Sequence, residues 1–90
     1  MDNDQSNGKP WITKKVSFPH GTEFYAYHKG KEYYAKVDNG TLELNGKRYD
    51  SPSSAAMEIT NYPVIGWTFW ECKIPGRSTR RPINALRRNS

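Results

Sequence analysis

Ninety residues with twelve aromatic side chains and a single cysteine are enough for one small domain, and they exclude an internal disulfide. With a mean hydropathy of −0.96, no apolar run approaches helical membrane-spanning length and no export-signal core is visible, so a chain without membrane attachment, in the reducing cytoplasm, is expected. The formal charge of +5 is unevenly divided, with −1 on residues 1–72 and +6 on residues 73–90, where no acid stands.

Residues 1–15 are polar and aperiodic, with Gly8 and Pro10, and read as a flexible leader before a single domain at residues 16–88. Trp11 is the exception in that leader: it either docks back onto the domain or stands exposed. From Val16 onward, short alternating segments are separated by turn signals. Residues 22–28 place Phe24 and Ala26 on one face and Tyr25 and Tyr27 on the other. Lys29-Gly30, Asp38-Asn39-Gly40 and Asn45-Gly46 then supply three turns between strands at residues 32–37, 41–44 and 47–49. An antiparallel meander is expected, with Phe24, Ala26, Tyr33, Ala35, Val37, Leu42 and Leu44 facing inward.

Ser51 before Pro52 reads as an N-cap followed by proline at the first helical position, where its missing amide costs nothing. Ala55, Ala56 and Ile59 form a narrow apolar stripe, so a helix over residues 52–60 is predicted to lie close against the sheet. After a loop at residues 61–65, residues 66–73 alternate and are predicted as a returning strand, with Trp67 and Phe69 on one side and Thr68 and Trp70 on the other. Pro82 opens a last short helix through Arg88, anchored by Ile83 and Leu86. The expected fold class is α+β.

The same residues carry a family resemblance. Tyr49-x-Ser51-Pro52-Ser53-x-Ala55-Ala56 followed by Gly66-Trp67-x-Phe69-Trp70 is similar to the pattern of the RAMA domain, the restriction-enzyme and adenine-methylase-associated module. Phe18-Pro19-His20-Gly21-Thr22, Gly30-Lys31-Glu32-Tyr33-Tyr34-Ala35-Lys36-Val37, Asn45-Gly46-Lys47-Arg48-Tyr49 and Ile83-Asn84-Ala85-Leu86-Arg87 resemble further parts of it in the same order. The family commonly has Asn before Gly-Trp; Ile65 stands there in this chain. The resemblance implies a DNA-associated module found beside restriction and methylation enzymes, with N6-methyladenine as the modification to be read.

The residues themselves disfavour catalysis. His20, His28 and Cys72 have no metal-ligand spacing, the acids are scattered, and the glycines sit singly at turns, so no catalytic residue, metal or cofactor is expected. Binding is better supported, because cations neutralise phosphates while flat rings stack on bases. Candidate nucleic-acid contacts are Arg77, Arg80, Arg81, Arg87 and Arg88, extended by Lys47 and Arg48, with Trp70 as a stacking ring and Tyr25, Tyr27 and Tyr34 on the faces left outside the core. For Trp70 burial under the C-terminal segment is the competing assignment, and for the basic block a solvated tail. Ser51, Ser53 and Ser54 stand at a helix N-terminus, where Ser51 has a capping role. The expected partner is DNA, methylated or not. The alternative is a protein, such as a restriction or methylation enzyme, met by the arginines and the exposed tyrosines. Basic and aromatic groups on one face favour DNA; separated patches favour a protein.

Overall fold

The computed structural model describes residues 8–87; residues 1–7 and 88–90, Arg88 among them, lie outside the described residues. The fold is α+β, built on antiparallel sheets. The strands are β1 (Trp11–Thr13), β2 (Val16–Phe18), β3 (Glu23–His28), β4 (Lys31–Asp38), β5 (Thr41–Leu44) and β6 (Lys47–Tyr49). Helix α1 (Pro52–Thr60) follows, then α2 (Gly66–Phe69), β7 (Glu71–Lys73), β8 (Arg81–Pro82) and a 3-10 helix over Ile83–Arg87. β1 and β2 pair alone, and the other six strands form one sheet in the order β6-β5-β4-β3-β7-β8.

β3 to β6 are the meander that the turn signals predict. Lys29-Gly30, Asn39-Gly40 and Asn45-Gly46 all have positive φ at both central positions, as tight type I′ turns require. Lys14 and Lys15, with φ of 52° and 66°, make a fourth such turn between β1 and β2, at a lysine pair that carries no turn signal. One face of the sheet is covered. Phe24, Ala26, Ala35, Val37, Leu42, Leu44 and Cys72 lie there in the core, while Tyr33, also assigned to the interior, is only half-buried.

Three boundaries differ from the sequence reading. Within the expected leader, residues 11–13 form a strand, and Trp11 is 2% exposed, packed on Phe18 and Phe24 with its indole N–H donating to the Asp50 carbonyl at 3.3 Å. An aromatic that fills the floor of a small core contributes more than a solvated leader could, and the chain before it is tied down too: the Lys9 amide donates to Asn39 Oδ1. The predicted strand over residues 66–73 is split, because Gly66–Phe69 is a helical turn and only Glu71–Lys73 pairs with β3. The last helix begins after Pro82, which with Arg81 pairs against β7 instead.

Helix α1 itself matches its prediction at both ends. Ser51 caps it by accepting the Ser54 amide at 3.1 Å, Pro52 occupies the first turn, and Asn61 closes it in the left-handed region at φ 66°. Its buried side is Pro52, Ala55, Ala56 and Thr60, with Ile59 half-buried beside them. The alanines admit a close neighbour, and that neighbour is α2. Gly66 lies so near α1 that a Cβ placed on it would stand 2.2 Å from the Pro52 carbonyl carbon and 2.3 Å from the Ser53 nitrogen. The Gly66 amide donates to Ser53 Oγ at 2.9 Å, and the Trp70 indole N–H donates to the Pro52 carbonyl at 3.1 Å. Ile65 takes the N-cap position of α2 without a side-chain bond, and Ser53 from the neighbouring helix satisfies the first amide in its place. The Ser-Pro-Ser-x-Ala-Ala and Gly-Trp-x-Phe-Trp segments are therefore two halves of one helix–helix joint.

Candidate functional site

The uncovered face of the sheet presents the alternate residues of each strand. Register places Tyr25 opposite Tyr34 and Glu71, Tyr27 opposite Glu32, and Glu23 opposite both Lys36 and Lys73. Lys36 in turn opposes Glu43, which opposes Arg48, so a row of alternating charge crosses five strands. Opposite charges on directly facing residues stabilise the pairing of each strand with the next.

A cleft opens where this face meets α2. The β7 ladder stops at Tyr25, leaving the outer edge of β3 beyond it without a paired strand among the described residues, and Thr68 and Phe69 of α2 stand across the gap. The result is a hollow of about 390 Å³ walled by Tyr25, Tyr27 and Phe69, with Glu32, Glu71 and Arg80 at its polar rim. Tyr25 is its best-held wall. Its hydroxyl donates to Glu23 Oε1 at 2.6 Å, its ring meets the edge of Tyr34 at 5.6 Å, and the Arg80 guanidinium lies over it 3.8 Å from the ring centre. Arg80 Nη1 also donates to Glu32 Oε2 at 2.9 Å. The Tyr34 hydroxyl donates to the other Glu23 oxygen at 3.3 Å, and Lys73 Nζ is 3.7 Å from Glu23.

These contacts leave an electrostatic mark. The bond from Tyr25, helped by Lys73 and Tyr34, holds the Glu23 carboxyl below its ordinary 4.5 against the opposing effect of burial. The same bond, then burial, pushes the Tyr25 phenol up to about 12. Burial first, and the Glu23 charge second, raise Tyr34. Cys72, on the core side, is pushed up to about 11 by burial, which makes it an inert interior thiol.

The candidate contacts are only partly brought together. Arg80 lines the cleft, while its neighbour Arg81 opposes the inward-facing Cys72 and lines a second, smaller hollow of about 140 Å³ with Arg77, Ile74 and Leu86. Arg77 and Arg81 are exposed and form no ion pair among the described residues. Arg87 ends the 3-10 helix, and its side chain, like the whole of Arg88, lies outside the described part. Lys47 and Arg48 do not extend the arginine segment, because β6 and β8 are opposite edges of the sheet. Arg48 is occupied locally, donating to the Asp38 carbonyl, Asp38 Oδ2 and Thr41 Oγ1, and Lys47 is 4.0 Å from Glu58. Trp70 is no stacking surface: at 1% exposure its ring packs on Phe24 and Phe69 beneath the cleft, held by its bond to Pro52.

Two contributors went unread in the sequence. Strand alternation groups Phe69 with Trp67 and apart from Trp70, but the helical turn swings it to the cleft. Glu32 carries no local signal, because its partner Arg80 is 48 residues away. No group of three or more His, Cys, Asp or Glu side chains among the described residues is placed to hold a metal ion, and none of the described helices is long and apolar enough to cross a membrane. Comparison with models of known protein families, with curated proteins and with solved structures finds no match to this chain.

Proposed function

We propose that the protein is a non-enzymatic DNA-binding module of the RAMA type that it resembles, acting in the cytoplasm beside a restriction or methylation enzyme. The observation that carries this is the position of the arginine segment. Arg80 lines the cleft walled by Tyr25, Tyr27 and Phe69, and Arg77 and Arg81, which form no ion pair among the described residues, line the smaller hollow with Ile74 and Leu86, so one short segment carries cations both to an aromatic cleft and to the exposed surface. On this reading Arg77 and Arg81 hold phosphates while a base, splayed or flipped from the stack, enters the cleft. The finer reading, recognition of N6-methyladenine, draws on the resemblance. One added methyl contributes about 0.8 kcal/mol when buried, roughly a fourfold preference in a cleft this open.

The test is the salt dependence of duplex binding. Replacing Arg77 and Arg81 together with alanine should lower affinity for all sequences and flatten the slope of log K against log salt by about two units. An unchanged slope removes both arginines from the interface, and absence of duplex binding at low salt removes the reading.

A second reading, a protein-interaction module, is favoured by a separate observation. Arg48, Lys73 and Arg80 each stand within 4.0 Å of an acid, which leaves the sheet face charge-balanced with Tyr27, 70% exposed, upon it. Balanced, tyrosine-bearing surfaces suit protein partners better than phosphates. Binding to a restriction or methylation enzyme with no salt-sensitive binding to DNA would favour it.

A further inference from the structure

The cleft described above already holds a ligand-like group from its own chain. The Arg80 guanidinium is a flat cation, 3.8 Å from the centre of the Tyr25 ring and 2.9 Å from the Glu32 carboxylate. Both contacts are those by which a pocket recognises a planar cation, a ring face for its charge and an acceptor for its in-plane N–H. The rim around it is acidic: Glu32 and Glu71 carry −2 against +1 from Arg80, a net of −1. A site for a phosphate would have the opposite balance. The occupant is also exchangeable. Arg80 lies in the segment before β8 and its side chain is 44% exposed, so it can leave for solvent without disturbing the sheet.

We propose that this cleft takes a nucleobase carrying positive charge through methylation at a ring nitrogen, and that Arg80 is its resident stand-in, displaced on binding. Adenine methylated at N1 has the required chemistry. Its charge is delocalised over a flat ring, and its exocyclic N–H lies in that plane, as the guanidinium N–H does. It would stack on Tyr25 between Tyr27 and Phe69 and donate to Glu32, reproducing both contacts that Arg80 gives up. N6-methylation leaves the ring neutral, so it keeps one in-plane N–H but brings no charge to the Tyr25 face or to Glu32. This assignment rests on the nucleic-acid reading for its ligand class, but the charge preference of the cleft is tested apart from it.

The experiment is a titration of the full chain at pH 7 with 1-methyladenosine, N6-methyladenosine, adenosine and arginine ethyl ester, followed by backbone amide shifts at Tyr25, Tyr27 and Glu32. 1-Methyladenosine should bind about tenfold more tightly than either neutral nucleoside. Arg80→Ala should tighten it further by removing the competitor, and Glu32→Gln should abolish the preference. Equal affinities for the three nucleosides would overturn the proposal, as would weakened binding in Arg80→Ala. Arginine ethyl ester binding as well as 1-methyladenosine would make the occupant a peptide side chain and overturn the nucleobase assignment. A 1-methyladenosine preference without any duplex binding would uphold the cleft assignment while removing the DNA reading; duplex binding without that preference would do the reverse.

Discussion

Gly66→Ala separates packing from helix propensity at the joint between α1 and α2. Gly66 is the first residue of a helical turn, and its φ lies outside the left-handed range, so alanine meets no backbone strain. In an exposed helix that exchange stabilises by up to about 1 kcal/mol. Here the new methyl would stand 2.2 Å from the Pro52 carbonyl carbon, 2.3 Å from the Ser53 nitrogen and 2.5 Å from the Pro52 oxygen. All three are backbone atoms of a capped helix and cannot rotate away. α2 has to retreat by an ångström or more, an overpacking cost of about 1–3 kcal/mol. The retreat also stretches the bonds from Gly66 to Ser53 and from Trp70 to Pro52. Losing the first costs about 1 kcal/mol, and leaving a buried indole N–H unsatisfied about 1–3 kcal/mol more. A total of about 3–7 kcal/mol is a large part of the roughly 5–15 kcal/mol that holds a domain of this kind together. Urea unfolding followed by tryptophan fluorescence reads it directly. Stability within about 0.5 kcal/mol of the parent would refute the account of this joint.

Other consequences can be measured on the same preparation. Trp11→Ala should cost about 3–5 kcal/mol in urea unfolding, as for a large core aromatic; a change under about 0.5 kcal/mol would return the residue to a leader. The Glu23 carboxyl has its pKa lowered in the folded state, so its stabilising contribution is complete above the ordinary value of 4.5 and is lost as pH falls through the lowered value. Tyr25→Phe should shift that carboxyl upward in an NMR titration and remove the late phenol, near about 12, from the ultraviolet titration; an unmoved Glu23 would contradict the bond assigned to it. Tyr49 carries a buried hydroxyl without a hydrogen-bond partner among the described residues, its phenol raised first by burial and then by neighbouring Glu58. Tyr49→Phe should therefore be neutral or stabilising by up to about 1 kcal/mol, and a loss larger than that would show Glu58 to be a true acceptor.

Much of the meander was legible because its determinants are local. Asn-Gly and Lys-Gly turns and period-two alternation operate over a few residues, and the inward set apart from Tyr33 follows from them. α1 was legible for the same reason, its start from Ser51-Pro52 and its buried side from the alanine stripe. α2 was not. Gly66-Trp67-Thr68-Phe69 alternates like a strand, and its helical turn is imposed by the Pro52 and Ser53 backbone against Gly66, a contact thirteen residues away in the chain. Trp11 was hidden by polar flanks and by a three-residue strand too short to show a period. For the cleft, alternation separated Tyr25 and Tyr27 from the core. Which arginine faces them depends on where β8 begins, and that is decided by pairing with β7. Trp70 sank beneath the cleft because the same helical turn reset the alternation.

The covered face of the sheet has a temporal consequence for synthesis. Its strands, from Glu23 to Tyr49, are joined by two-residue turns and can zip together within about 1–10 μs per hairpin. Most of what covers them comes from further along the chain: α1, α2, and Ile83, which donates its amide to the Trp70 carbonyl. Trp11, made earlier, has no carbonyl to bond until Asp50 has been synthesised. At about 5–20 residues per second, translation from Tyr49 to Ile83 takes about 2–7 s. For that interval Phe24, Val37, Leu42 and Leu44 stand on a four-strand face that still lacks β7 and β8 and has nothing from the later chain to cover it, and it is this nascent stage, long before the folded protein, at which the chain is most open to capture by a chaperone.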